Sequence, residues 1–154
     1  MGVTPEILDR MYAERIADVI LVEADGAAHK PVKAPNQTEP VIPDCTSLCI
    51  GVVGLDCLTQ TLTEEHVHRH ILFSKLTGCK VGEEITPLHL QTLACSPDGL
   101  FKNCPAQCSR HVLFNKSDAV PKHTLSTLRT LCPPASTPFS WWAGSAHSRF
   151  IVPL

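Results

Sequence analysis

The amino-acid sequence predicts an α/β domain of three layers, in which a mainly parallel sheet lies between helices. Three apolar runs, at residues 18–24, 47–53 and 111–115, have the composition of strands that are covered on both faces. Helical patterns stand between these runs, and strands that alternate with helices are typical of a parallel sheet. At 154 residues the chain has room for one such domain with a normal core.

The first helix and the first strand follow from local pattern. Thr4 and Pro5 suit the cap and the first position of a helix, and apolar residues recur near a 3.6-residue period over 5–16. The near-continuous apolar run that begins at Val19 then predicts a buried strand over 18–24.

A proline-rich stretch separates this strand from the next one. Residues 28–46 contain four prolines, which exclude a helix or an interior strand. The stretch also carries charged side chains and the apolar pair Val41 and Ile42. We interpret it as a fixed active-site loop, with an interdomain linker as the alternative.

In the second half of the chain, helix caps, prolines and apolar runs predict the remaining elements. The expected order is a helix at 63–76, a helix at 86–94, a loop at 97–110, the strand 111–115, a helix at 121–132 and a last strand near 139–144. This order places the main domain at 1–132 and a C-terminal strand and tail at 133–154.

Composition and charge exclude several classes of protein. Thirteen basic against fifteen acidic residues give a net charge of −2, which attracts neither nucleic acid nor anionic lipid. No apolar run approaches the roughly 20 residues that span a bilayer, and the start of the sequence lacks the pattern of a signal peptide. We therefore expect a cytoplasmic protein without nucleic-acid or membrane partners.

Eight cysteines are many for a cytoplasmic chain. The pairs Cys45/Cys49 and Cys104/Cys108 have spacings that permit metal binding, but structural zinc sites more often use tighter pairs. A disulfide framework conflicts with the lack of an export signal. We expect buried free thiols and no structural zinc, with a metal site or a redox or selenium-handling thiol as alternatives.

The strand 111–115 runs directly into Asn115-Lys116-Ser117-Asp118. Asn-Lys-x-Asp at the carboxyl end of a strand can read a guanine base, since the Asp carboxylate accepts two hydrogen bonds from the base edge. The Lys stem can cover the ring, and the Asn can tie the loop to its neighbours. These four residues are also ordinary turn residues, so a plain turn is the alternative.

Two acids follow the predicted strand 18–24. Glu23 and Asp25 stand at alternate positions and therefore project to one side, and Gly26 comes next. An acid in this place can hold Mg²⁺ through water in a phosphate-transfer site. Solvated acids at a strand end are the alternative. We expect the ends of 18–24 and 111–115 to lie side by side in one sheet, so that Asp25 and Asp118 line one crevice.

Cations and a further acid follow within the proline-rich loop. His29, Lys30 and Lys33 follow the two acids closely, Glu39 comes later in the loop, and prolines restrict the loop before anything binds. Preorganised cations can hold an anionic substrate beside a nucleotide phosphate. In the alternative, the lysines pair with Glu23, Asp25 or Glu39 only to hold the loop in place.

The motifs Glu-Ala-Asp-Gly-Ala from Glu23, Lys-Pro-Val-Lys-Ala-Pro from Lys30 and Glu-Pro-Val-Ile-Pro from Glu39 resemble the YqeC family over about residues 5–120. These are accessory, or selenium-cofactor biosynthesis, proteins for selenium-dependent molybdenum hydroxylases. The resemblance implies a P-loop-type nucleotide-binding domain over 1–132. It also includes His68 and Arg69, for which it implies contact with phosphate or a partner, and Ser145-Ala146 resembles the small-residue loop of guanine-binding domains.

The sequence departs from this family at the phosphate loop. Members begin with a glycine-rich loop that ends in Gly-Lys-Ser/Thr, and no Gly-x-x-x-x-Gly-Lys-Ser/Thr occurs in the 154 residues. We therefore expect an incomplete P-loop fold, either the C-terminal portion of a split or truncated protein or a degenerate member. A separate phosphate-loop segment is then the expected partner.

The sequence thus predicts a nucleotide-dependent accessory protein, using GTP or ATP with Mg²⁺, that is inactive alone. Glu23, Asp25, Lys30 and Lys33 are the predicted catalytic residues. Predicted to bind the nucleotide are Asn115, Lys116 and Asp118, and predicted to bind an anionic substrate are His29, Glu39, His68 and Arg69. The expected partners are a nucleotide, a phosphate-loop segment and a molybdenum hydroxylase. A binding module without turnover and a Cys/His carrier of metal or selenium remain open, as does the question of enzymatic activity.

Overall fold

The computed structural model describes residues 2–133 and 137–154. Its α-helices are α1 (Pro5–Ala13), α2 (His70–Thr77), α3 (Pro87–Cys95) and α4 (Lys122–Leu131). Its strands are β1 (Val32–Lys33), β2 (Leu48–Gly54), β3 (Val67–His68), β4 (Ser109–Asn115), β5 (Ser140–Ser145) and β6 (Phe150–Pro153).

A four-stranded sheet forms the centre of the described structure, in the order β2-β4-β5-β6. The first three strands are parallel, and β6 returns antiparallel to β5. A second, small sheet pairs β1 with β3 in parallel. The predicted α/β class with parallel strands is therefore confirmed.

The core forms where one face of the central sheet is covered. Val53, Val112, Phe114 and Trp141 from three adjacent strands are buried in one apolar cluster with residues of α3 and α4. The rings of Phe114 and Trp141 stack at a centroid distance of 5.8 Å. Alternation along each strand sends these side chains to the same face, because parallel partners in register share their orientation.

The predicted strand 18–24 was wrong. These residues have no strand assignment, and the side chains of Val19 and Leu21 are 72% and 92% exposed. A strand is held by the ladder of a neighbour, and no such partner lies against this segment among the described residues. The opposite face of β2 is also open, because Leu48, Ile50 and Val52 are exposed. The third layer expected from the sequence is thus not formed over β2.

Smaller differences concern element ends and short strands. The helix expected over 63–76 begins only at His70, because Val67 and His68 pair with β1 and Arg69 takes a left-handed φ of 61°. The helix predicted over 5–16 ends at Ala13, and β6 had no counterpart in the sequence analysis.

The C-terminal residues belong to the central sheet. β5 and β6 supply two of its four strands, so the boundary expected after residue 132 does not separate two sheets. Part of the predicted tail, 134–136, lies outside the described residues. None of the helices within 2–133 and 137–154 is long and apolar enough to cross a membrane.

Truncation of a core ring should lower stability far more than truncation of an exposed side chain. We expect Phe114→Ala to reduce the free energy of unfolding by about 3–5 kcal/mol, because it leaves a cavity under the stacked Trp141. Urea unfolding followed by tryptophan fluorescence measures the change. The control Leu88→Ala, on an exposed position of α3, should stay within about 0.5 kcal/mol of wild type. Equal losses for the two variants would contradict this assignment of the core.

Candidate functional site

The carboxyl ends of β2 and β4 lie side by side and carry the candidate site. Their last residues, Gly54 and Asn115, are partners in the ladder. Each strand leads into a short 3-10 helix, at Leu55–Cys57 and Ser117–Ala119. Ligands of open α/β sheets bind at this end of the strands, so two loops converge where a ligand is expected.

The Asn-Lys-Ser-Asp loop is tied to the end of β5. The Asn115 Oδ1 accepts a hydrogen bond of 3.0 Å from the Ala146 amide. The Ser145 hydroxyl donates to the Asp118 carboxylate, and this bond holds the pKa of Asp118 below its usual value. The fold thus brings together Asn115 and Asp118 with the pair Ser145-Ala146, from segments 27 or more positions apart. Asp118 itself is exposed and can accept further hydrogen bonds.

Lys116 links the same loop to the loop that follows β2. Its Nζ donates to the Asp56 Oδ2 at 2.6 Å, and its backbone takes a left-handed φ of 60°. The other oxygen of Asp56 and the Ser117 hydroxyl are buried and have no hydrogen-bond partner among the described residues. Buried polar atoms usually have a hydrogen-bond partner, so these two are candidates to bind a group that enters the site. The sequence analysis gave Asp56 no role, although it stands only two positions after the end of β2.

A second cluster joins four residues that the sequence had predicted as site residues. The Lys33 Nζ donates to the Asp25 carboxylate, and to the Glu39 Oε2 and the Gly26 carbonyl at 2.9 Å each. Arg69 donates to both oxygens of Glu39, with an Nη2–Oε1 distance of 2.8 Å. Glu39 is therefore shared by two cations, in the two-pronged geometry that arginine favours.

Two side chains at this site, Glu39 and His68, have lowered pKa values. Hydrogen bonds from Arg69 first, and then from Lys33, lower the pKa of Glu39 to about 2 against the cost of burial. Burial, followed by repulsion from Arg69 and Lys33, lowers the pKa of His68, which is the ladder partner of Lys33. At neutral pH the cluster therefore holds an ionised Glu39 beside a neutral His68.

Three other predicted residues lie outside this cluster. The Lys30 Nζ donates to the Glu65 carbonyl at 2.7 Å. Glu23 and His29 are exposed and make no side-chain hydrogen bond or ion pair with the residues that the structure describes. The pairing of Lys33 with Asp25 and Glu39 is the arrangement expected if that lysine holds the loop in place.

The two clusters lie toward the same end of the sheet. The Gly54 amide donates to the Pro31 carbonyl at 2.8 Å, so the residues before β1 dock on the end of β2. Asp56 follows two positions later and reaches Lys116. Asp25 therefore comes to this end through Lys33 of β1, and not through the strand 18–24 that the sequence predicted.

A cavity of about 750 Å³ opens beside the proline-rich loop. It is lined by residues 35–38 of the loop and by residues of α2 and the segment after α3, including the cations Lys75 and Lys102. The Lys102 Nζ donates to the Asn36 carbonyl at 3.1 Å and lies 3.7 Å from the Asp98 carboxylate. The sequence analysis missed this cavity, because its walls come from segments that are distant along the chain.

All eight cysteines are free thiols. Burial raises the pKa of Cys57 and Cys132 to about 12, as expected for inert core thiols. Cys49 and Cys108 are each within hydrogen-bonding reach of Cys104, which gathers three thiols at the amino end of the sheet. Within the described ranges, no group of three or more His, Cys, Asp or Glu side chains is arranged to hold a metal ion.

Comparisons with known proteins agree with the resemblance seen in the sequence. A family model described as YqeC protein matches residues 1–71. The "Uncharacterized protein YqeC" of Escherichia coli strain K12 is 37% identical over 115 residues, which are 75% of this chain and 45% of that protein. The chain thus spans less than half the length of this curated relative. No solved structure matches the chain.

The ion pairs of Glu39 should make stability depend on pH in a defined window. A carboxyl with a lowered folded-state pKa stabilises the fold above its unfolded value of 4.5, and this contribution is lost as the pH falls towards about 2. We expect Glu39→Gln to cost about 2 kcal/mol at pH 7, because charge-assisted hydrogen bonds to Lys33 and Arg69 are weakened. The difference from wild type should shrink steadily below pH 4.5.

Chemical unfolding of both proteins between pH 7 and pH 2.5 measures this difference. Glu64→Gln is the control, because Glu64 is exposed and has no ion pair among the described residues. Its effect should stay below about 0.5 kcal/mol at every pH. A Glu39→Gln effect that does not change with pH would show that the ion pairs do not stabilise the fold.

Proposed function

We propose, from the premise that this chain belongs to the YqeC family, that it supplies the base-binding part of a nucleotide-dependent accessory protein. That protein would act in the maturation of a selenium-containing molybdenum hydroxylase. The observation that carries the nucleotide part is the joining of Asn115 and Asp118 to Ser145-Ala146 at the carboxyl end of the sheet. The selenium and molybdenum part rests on the family resemblance.

The loop is built for a purine with hydrogen-bond donors on its edge. The exposed Asp118 carboxylate can accept two hydrogen bonds from guanine. The Asn115 side chain holds the loop in place by accepting a hydrogen bond from the Ala146 amide. In adenine the matching edge has a different donor pattern, so a carboxylate favours guanine. GTP is accordingly the preferred nucleotide, with ATP as the alternative.

The phosphates and their ion would lie toward Asp25. Mg²⁺ in phosphate-transfer sites is commonly held through one or two carboxylates, water and phosphate oxygens. Asp25 uses one oxygen for Lys33 and offers the other, so the residues fit a water-mediated ion and not a closed protein cage. A separate phosphate-loop segment would supply the backbone amides and the lysine that grip the triphosphate.

A second, anionic substrate would fit the cavity beside the proline-rich loop. Lys75 and Lys102 line it together with one acid, Asp98, and with the loop stretch 35–38, directly before the Glu39 cluster. Lys30, which is half-buried, and His29, which is exposed, stand at the start of the loop outside the cavity lining, and we propose that they contact the substrate from there. Lys33, Arg69 and Glu39 then act as positioning residues.

A second candidate function is a thiol carrier without nucleotide turnover. The grouping of Cys49, Cys104 and Cys108 favours it, since adjacent thiols can share a soft atom. The raised pKa of Cys49, about 12, weighs against it, because the thiolate is the reactive form.

Asp118 should decide the base preference of the isolated chain. We expect weak binding of a fluorescent guanine nucleotide without hydrolysis, and a guanine-over-adenine preference that drops roughly tenfold or more in Asp118→Ala. The reason is that the carboxylate no longer accepts the hydrogen bonds of the base. Competition titrations with unlabelled nucleotides measure the preference.

Asp44→Ala is the matched control, because Asp44 is an exposed acid before the opposite, amino end of β2. It should leave the preference unchanged. If Asp118→Ala keeps the preference for guanine over adenine, the Asn-Lys-Ser-Asp segment is a turn that does not read the base. Robust metal-dependent hydrolysis by the isolated chain would overturn the need for a separate phosphate loop.

Substitution of Lys30 and substitution of Lys33 should have different effects on stability and on function. Lys30→Met keeps most of the stem and removes a charge that meets only the Glu65 carbonyl in the described structure, so stability should change little. Lys33→Met should cost about 1.5–3 kcal/mol or more, because Asp25 and Glu39 lose their cation. Thermal unfolding measures both variants.

Complementation of a selenium-dependent hydroxylase defect, with the partner segment supplied, provides the functional readout. If Lys30 contacts the substrate, Lys30→Met should fail although it folds like wild type. Full complementation by Lys30→Met would place the anion site elsewhere, and Lys75→Met would be the next variant to measure.

A further inference from the structure

The outer edge of β2 is an open row of backbone groups. β2 is the terminal strand of the central sheet, and its other edge is fully paired with β4 over seven residues. The Gly54 amide points outward, because it meets the Pro31 carbonyl. Alternation then directs the amides of Leu48, Ile50 and Val52 outward as well, and these have no backbone partner among the described residues. Long, apolar, unprotected edges readily accept another strand.

The stretch from Ile16 to Ala24, the outer segment, spans the two ends of this strand. Asp9 of α1 accepts a hydrogen bond of 2.9 Å from the Cys45 amide, just before β2 begins. Pro31 is held at Gly54, where β2 ends. The outer segment must therefore pass from the amino end of β2 to its carboxyl end, in the direction of a parallel neighbour.

The outer segment and β2 both expose apolar side chains. On the outer segment the exposed residues are Ile16, Val19, Leu21 and Val22, and on β2 they are Leu48, Ile50 and Val52. Soluble monomers seldom expose so many large apolar side chains in neighbouring segments, and such a patch marks a site of association. The chain is held to the two ends of β2 at Asp9 and Pro31, and the segment between these anchors makes no ladder with β2. A further strand that paired with both β2 and the outer segment would supply the ladder that each of them lacks.

We propose that β2 and the outer segment receive a parallel β-strand from the part of a YqeC-family polypeptide that the matched residues leave out. The E. coli relative supplies the reason to choose this occupant, since 55% of its length lies outside the match. A strand inserted there would pair with the free backbone groups of β2 and pack its own side chains beside the exposed ones of the same face.

Such a strand would end at the candidate site. Its carboxyl end would lie next to Gly54, where the Asp56 Oδ1 and the Ser117 hydroxyl have no partner among the described residues. The loop after the strand would then stand between Asp25 and Asn115. The docking depends on the proposed function only for the role of that loop, which is to bind the nucleotide phosphates.

The test uses the full chain without nucleotide. Each stretch of the E. coli relative outside the 115 matched residues is produced as a separate polypeptide and titrated against it, with affinity measured by calorimetry. We expect one stretch to bind at one-to-one stoichiometry. Ile50→Lys should weaken binding at least tenfold, because it places a charge in the new apolar contact. Leu88→Lys, on an equally exposed position of α3, is the matched control and should bind like wild type.

Amide hydrogen exchange provides a readout that a merely destabilised variant cannot imitate. In the free chain the outward amides of Leu48, Ile50 and Val52 should exchange faster than those of Cys49, Gly51 and Val53, which face β4. Binding should slow the outward set and the amides of the outer segment. Should Ile50→Lys fail to fold, Ile50→Pro removes the outward amide without touching the β4 ladder and is expected to abolish binding.

Three results would overturn the proposal. One is that none of the stretches binds, and another is that binding survives Ile50→Lys and Ile50→Pro. The third is a dimer of this chain, seen by analytical ultracentrifugation and dissociated by Ile50→Lys, which would make the edge an interface between two copies. Loss of docking with Asp118-dependent base selectivity intact would reject this inference alone. Docking without base selectivity would reject the proposed function and leave the strand site standing.

Discussion

The seven-residue ladder between β2 and β4 is the constraint on which the rest of the described structure depends. It pairs Leu48 with Ser109 at one end and Gly54 with Asn115 at the other, so both strands finish at the same level. The loops that follow are thereby forced into contact, and Lys116 reaches Asp56 although they are 60 positions apart. The Asn-Lys-Ser-Asp loop owes its position to this register, since a shift of one residue would turn the side chains of β4 to the other face.

The ion-pair cluster attaches the proline-rich loop to this frame. Glu39 receives hydrogen bonds from Lys33 on β1 and from Arg69, directly after β3, so one carboxylate fastens both strands of the small sheet. Charge-assisted bonds of this kind are stronger than neutral ones, and they leave little freedom to a loop that prolines already restrict. The loop is consequently a fixed wall of the neighbouring cavity.

One side of the molecule contrasts with this well-paired region. β4 and β5 have a neighbour on each side and bury core side chains, whereas β2 has one paired edge and one exposed apolar face. The same end of the sheet holds buried polar atoms without partners in the described structure. Unpaired backbone, exposed apolar side chains and unsatisfied polar atoms thus coincide around one strand. These features mark the edge of the sheet at which we propose that a further strand docks.

The sequence by itself determined the features that depend on neighbouring residues. Apolar runs identified β2 and β4, prolines set the starts of α1 and α3, and Asn115 to Asp118 could be placed at the end of a strand. The family followed from short motifs around Asp25, Lys30 and Glu39, because such motifs keep their residue order without reference to the fold.

The tertiary structure decided everything that joins distant segments. The pairing of Glu39 with Arg69 spans 30 positions, and no periodicity reveals it. The run from Val19 to Val22 reads as a buried strand, yet burial needs a second strand and a covering layer, which local composition cannot supply. Residue type therefore determined which segments could form a buried strand. The strands available to pair with each segment decided whether that strand formed.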